Sequence, residues 1–207
     1  MKRGIIWTSV VCAAALIAAV STIGLAQSQT ADLRAPGDFA QIADRKARSA
    51  AIFTEMGKVI QHPRCLNCHP RNDRPTQGNG RPHSPPVQRG PAGIGVAGME
   101  CTVCHGPANV PFANGRGSIP GHPTWHLAPS EMAWQGVSLR GICEQLKDRK
   151  RNGNKDLDAF VIHMAEDKLV DWGWRPGGNR KPVPIPKDET VAAVKAWVAA
   201  GAPCPSS

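Results

Sequence analysis

The sequence predicts a mostly α fold in which short helices are joined by long irregular loops, and three observations predict it. Apolar residues recur at helical spacing in four separate segments. No segment keeps the two-residue alternation of a half-buried strand. Glycine and proline are abundant, 21 and 19 of 207 residues, and they crowd into the stretches between the helical segments, where both interrupt regular structure.

Along the chain, residues 1–26 have the form of an export signal. Lys2 and Arg3 supply positive charge, Ile5 to Leu25 is apolar, and "GLAQSQ" offers small residues for cleavage near Ala26. The apolar run is almost long enough to span a bilayer, so an uncleaved anchor stays open as the alternative. Residues 27–37 are a polar leader, and 38–207 are expected to form one domain. Asp38 to Ile60 is expected to be helical, capped by Asp38 and stopped at Pro63. Residues 70–99 and 106–129 are too rich in Pro and Gly for regular elements. Ser138 is positioned to cap a short helix carrying Ile142, Cys143 and Leu146. A helix over about 156–170 places Leu157, Phe160, Val161 and Met164 on one face. A last helix over about 188–200 ends where Gly201 supplies a cap.

The net charge is +9, and loss of the first 26 residues, which carry Lys2 and Arg3 and no acid, would leave +7. The charges are scattered, as suits solubility or docking with an acidic partner. No Lys/Arg run is interleaved with aromatics, so nucleic acid is not an expected partner.

Six of the seven cysteines lie beyond the export segment. Four of them fall in "RCLNCHP" (64–70) and "ECTVCHG" (100–106). C-x-x-C-H is the pattern of c-type haem attachment: two thiols add to the vinyl groups, and the adjacent imidazole is placed to ligate the iron. A zinc ribbon would also use two CxxC pairs, but it leaves the histidine after each pair unexplained. A redox dithiol would need a βαβ context, which the pattern lacks. The expectation is therefore helices like those of cytochrome c, with long Pro/Gly-rich loops, wrapped around two covalently bound haems. Cys65, Cys68, Cys101 and Cys104 would hold the haems, and His69 and His105 would be the proximal ligands. The leftover Cys143 and Cys204 are expected to pair as a disulfide in an oxidising compartment.

The distal ligands are open at the level of sequence. His83 lies in the loop between the two motifs, and His126 follows Trp125 in a second loop. His163 lies about 110° from the centre of its helix's apolar stripe, at its flank. Met132, just after Ser130, is the methionine candidate.

Beyond the haem motifs, "DRPTQG", "WHLAPSEMAWQG", "ICEQLKD", "HMAEDKLVDWGWRPG" and "GAPCP" give the chain a resemblance to the dihaem c-type subunit that accompanies isoquinoline 1-oxidoreductase-type molybdenum hydroxylases. The resemblance implies a periplasmic electron carrier, not itself an enzyme. Its partner would be a molybdenum hydroxylase or other dehydrogenase passing electrons on to the respiratory chain. Membrane contact is expected only if the N-terminal segment is retained. A dihaem peroxidase and a haem-based small-ligand sensor, each needing one open distal site, stay as alternatives.

Overall fold

The computed structural model describes residues 32–207. The export segment and the start of the leader lie outside the described residues. Among those described, no helix is long and apolar enough to cross a membrane.

The regular structure is mostly helical: α1 (Arg45–Ile60), α2 (Pro63–Leu66), α3 (Cys101–Cys104), α4 (Leu139–Lys147), α5 (Leu157–Glu166), α6 (Lys168–Asp171) and α7 (Lys187–Ala199). The first helix starts later than expected. Pro36–Phe39 is a separate 3-10 turn, in which Asp38 accepts from the Ala35 amide at 2.9 Å. Asp44 takes extended backbone and caps α1 through the Ala47 amide, which breaks continuity with the residues upstream. Pro63 does not simply stop α1; it opens α2 at its first position, where a missing amide costs nothing. Ser138 caps α4 as expected, accepting from the Gly141 amide at 3.1 Å. The helix expected over 156–170 is two. Asp167 ends α5, and its carboxylate then accepts from the Leu169 and Val170 amides to start α6.

The Pro/Gly-rich stretches hold three antiparallel ladders of two residues per strand: Thr76–Gln77 with Arg81–Pro82, Gly95–Val96 with Met99–Glu100, and Val110–Pro111 with Ser118–Ile119. Strands this short leave no alternation to detect in a sequence.

The core is built by α1, α4, α5 and α7. Trp197 of α7 is fully buried, tilted against Phe53 of α1 at 4.9 Å and edge-on to Phe160 of α5 at 6.3 Å. Its indole donates to the Pro203 carbonyl at 3.0 Å, so this large side chain is buried with its polar atom satisfied. The chain turns back after α7 through Gly201, whose φ of +92° suits glycine at a helix C-terminus. This turn carries Cys204 to Cys143 on α4, where the two form a disulfide with 5.6 Å between Cα atoms. α6 is fastened to the start of α7 by the Lys187–Asp171 ion pair at 2.9 Å and by Trp174, whose indole donates to the Ile185 carbonyl.

The crosslink joins residues 61 apart, so its loss frees a long loop in the unfolded chain. Cys143→Ser is expected to lower unfolding stability by about 2–4 kcal/mol, read as a lower denaturant midpoint under non-reducing conditions. An unchanged midpoint would contradict a stabilising crosslink.

Candidate functional site

The two Cys-x-x-Cys-His motifs are built alike. In each, a single helical turn brings the two cysteines round, and the histidine amide then donates to the first cysteine's carbonyl: His69 to Cys65 at 3.1 Å, His105 to Cys101 at 2.8 Å. In each, the histidine Nδ1 lies 2.7 Å from a backbone carbonyl, Met132 for His69 and Pro120 for His105. A carbonyl can only accept, so Nδ1 carries the proton and Nε2 keeps its lone pair. In each, a tryptophan lies flat against the imidazole: Trp134 on His69 with centroids 3.5 Å apart, Trp125 on His105 at 4.6 Å.

Burial holds both imidazoles neutral. It pushes His69 down to about 3 against the opposing Met132 hydrogen bond, with smaller contributions from His163 and Arg89. His105 is lowered by burial, again opposed by its carbonyl partner. Burial also pushes the Cys65 thiol up to about 12 and Cys68 to about 11. A redox dithiol needs the opposite, a stabilised thiolate. None of the four motif cysteines is in a disulfide. Among the described residues no three His, Cys, Asp or Glu side chains gather as a single-ion site, so the four thiols are not arranged as a zinc ribbon.

Each motif opens onto a cavity. The first, about 400 Å³, is lined by Cys101, Cys104, His105 and, from the loop between the motifs, His83. The His83 and His105 rings stand 5.9 Å apart between centroids, and His83 Nδ1 is occupied by the Pro85 carbonyl at 2.8 Å. Two imidazoles bound at about 2.0 Å on opposite sides of one metal would have centroids close to this spacing. The second cavity, about 180 Å³, is lined by Cys65, Cys68, His69, His163 and Met164, with apolar walls from Met56, Val59, Phe160 and Val194. His163 Nδ1 is held by Asp167 at 3.1 Å, which leaves its other ring nitrogen free. Burial lowers the His163 pKa and the Asp167 carboxylate opposes this. Both sites thus place a second histidine at the cavity of a motif histidine, each with Nδ1 already engaged. Imidazole nitrogens left free in this way are donors of the kind a haem iron takes.

The four distal candidates are therefore distributed unequally. His83 stands at the second motif and His163 at the first. His126 is exposed, bonds its own neighbour's carbonyl (Leu127, 2.9 Å) and lines both cavities. Met132 is buried, and its main chain lies behind His69, on the Nδ1 side. The cavities share a wall formed by Cys68, Arg64, Trp125, His126 and Trp172. Trp125 and Trp172 meet edge to face at 5.0 Å.

Several contributors carry no sequence signal. The Met132 and Pro120 carbonyls act through backbone. Trp134 and Trp125 follow their motifs at unequal distances. Arg89, 7% exposed, donates to the Ala128 carbonyl, while Ala128 itself donates to the Cys68 carbonyl. His62 caps α2 through the Arg64 amide, and His122 receives the Thr124 amide in a local turn.

No protein-family model matches the chain, and comparison with curated proteins and with solved structures gives no match.

Gly121 follows the Pro120 carbonyl that holds His105. A Cβ there would lie 2.1 Å from the Ala108 carbonyl oxygen, whereas one at Gly106 would meet nothing within 4 Å. Gly121→Ala is expected to cost at least about 1–3 kcal/mol and to disturb the His105 ring, followed by its imidazole NMR resonances. Gly106→Ala should leave both unchanged. Equal effects of the two substitutions would contradict the assigned packing.

Proposed function

We propose that this chain is an exported dihaem c-type cytochrome that carries electrons. One haem would be held by Cys65 and Cys68 with His69 and His163 as axial ligands, the other by Cys101 and Cys104 with His105 and His83. The observation that supports this most is the repeated constellation: a CxxCH turn, a histidine locked by a backbone carbonyl, a stacked tryptophan, and a second histidine at the same cavity. When bound, haem iron supplies a one-electron couple, and covalent attachment keeps it on the protein.

The chain's own residues do the rest. The Met132 and Pro120 carbonyls hold His69 and His105 in the tautomer that presents Nε2. Asp167 does the same for His163, with a carboxylate in place of a carbonyl, which makes the imidazole a more basic ligand and favours the oxidised iron. Met56, Val59 and Phe160 give the first motif's cavity an apolar wall. Met132 serves through its backbone. His126, on the wall between the cavities, is left as a lining residue. Trp125 and Trp172, in contact on the wall that both cavities share, would stand between the two haems. With His163 and His83 as second ligands neither iron would keep an open position, which favours a carrier over a peroxidase or a gas sensor. The periplasm as its location and a molybdenum hydroxylase or other dehydrogenase as its electron donor belong to the same proposal, supported by the export segment and the resemblance. The excess of basic residues supports an acidic docking partner.

Protein made with its haem-attachment machinery is expected to carry two covalent haems per chain, by intact mass and haemochrome spectrum. Carbon monoxide should leave the spectrum of the reduced protein unchanged. His163→Ala and His83→Ala should each open one haem to carbon monoxide, whereas His126→Ala should open neither. Absence of covalent haem would contradict the cytochrome reading, and full carbon monoxide binding by the unmodified protein would favour the catalyst or sensor.

A further inference from the structure

The wall between the two cavities holds an unbalanced cluster of hydrogen-bond donors. Arg64 and Arg180 both stand over the Trp172 ring, with guanidinium carbons 6.0 and 5.9 Å from its centroid. Arg64 lines both cavities and Arg180 lines that of the second motif. Each is only partly exposed. Neither makes an ion pair among the described residues, although Asp171, on the turn next to Trp172, is paired with Lys187 and Arg175.

Both guanidiniums are fixed by backbone and leave donors over. Arg64 Nε donates to the Lys181 carbonyl at 2.7 Å, while its two terminal nitrogens make no hydrogen bond among the described residues. Arg180 is held at Ser118, by its hydroxyl at 2.9 Å and by its carbonyl, and by the Pro176 and Gly177 carbonyls at 3.4 and 3.3 Å, while its Nε makes no hydrogen bond among the described residues. Trp172 adds a third donor: its indole Nε1 is buried with no partner. A buried donor without an acceptor is costly, and here it belongs to a ring that two guanidiniums without an acid stand over. An anion with two oxygens would satisfy all three groups at once, and planar guanidinium forks match a carboxylate.

We infer that Arg64, Arg180 and Trp172 form a carboxylate-binding subsite on the shared wall, which takes a propionate of the haem held by Cys101 and Cys104. The inference rests on the proposed dihaem reading, which brings carboxylates into these cavities. The subsite would orient the haem held by Cys101 and Cys104. Because Arg64 also lines the first cavity, its charge acts on both irons. Cations here favour the reduced state, since they offset the extra electron.

The test uses the full chain carrying both haems. Spectroelectrochemistry of Arg180→Gln is expected to shift the oxidised-to-reduced ratio of one haem at least tenfold towards oxidised, a fall of about 59 mV for a one-electron couple. Arg64→Gln is expected to lower both potentials. Arg180→Lys should recover most of the potential but not the wild-type propionate bending band in the resonance Raman spectrum, because an ammonium lacks the fork. Trp172→Phe, which keeps the ring and removes only the N–H, should move the same band, and it provides a readout should an arginine variant fold poorly. Acetate added to the wild-type protein should change nothing, since the subsite is already filled. Potentials and Raman bands unmoved by all the substitutions, with both haems attached, would overturn the subsite. A potential that responds to acetate would overturn the propionate as its occupant in favour of a free carboxylate. A chain that carries no covalent haem would instead remove the underlying cytochrome reading.

Discussion

The hydrogen bond from a motif histidine to a backbone carbonyl is the constraint on which the rest depends. An imidazole next to a CxxC turn has two nitrogens, two tautomers and free rotation about two bonds. The 2.7 Å contacts of His69 with Met132 and of His105 with Pro120 remove that freedom. They place the proton on Nδ1, aim Nε2 away from the carbonyl, and keep the ring neutral in a buried setting where its charged form is disfavoured. Tryptophans stacked on each ring then restrict its remaining tilt. The carbonyls are supplied by distant loops, so the loops must be held as firmly as the motifs.

That firmness has two sources. For the first motif it comes from the helical core. Met132 is buried against this core, and the packing of α1, α5 and α7 around Trp197 fixes the helix that carries His163. For the second motif it comes from tight turns without a core of their own. Gly121 lets the chain pass against the Ala108 carbonyl, and Asn109 ties the Gly121 amide to the Pro176 carbonyl. One site is thus walled by apolar side chains and the other by loops and arginines. Under the proposed function, two haems with identical axial ligands would sit in different dielectric surroundings and have different potentials. A difference of that kind gives electrons a direction within a small protein.

Much of this was legible in the sequence where the signal is local. Ser138 and Gly201 marked helix ends because capping uses residues next to the helix. The two CxxCH turns were legible because each motif is contiguous in the chain, and Cys143 with Cys204 because two thiols were left over. Competition between signals was harder to judge. Asp38 was expected to cap the first helix, but Asp44, six residues on, caps α1. One helix was expected over 156–170, but Asp167 ends α5 and begins α6 while holding His163. What no local pattern could supply was tertiary. Met132 drew attention for its sulfur, yet its carbonyl makes the hydrogen bond to His69. The approach of His83 to His105, and the placing of His163 at the cavity of His69, depend on how the chain folds back across tens of residues.

The central claim is that each haem iron lies between two imidazoles. Low-temperature electron paramagnetic resonance of the fully oxidised protein, with near-infrared circular dichroism on the same sample, tests it most directly. Two low-spin ferric centres, both with charge-transfer bands of bis-histidine ligation, are the predicted result. A high-spin ferric signal, or the band of a methionine-ligated haem, would contradict it.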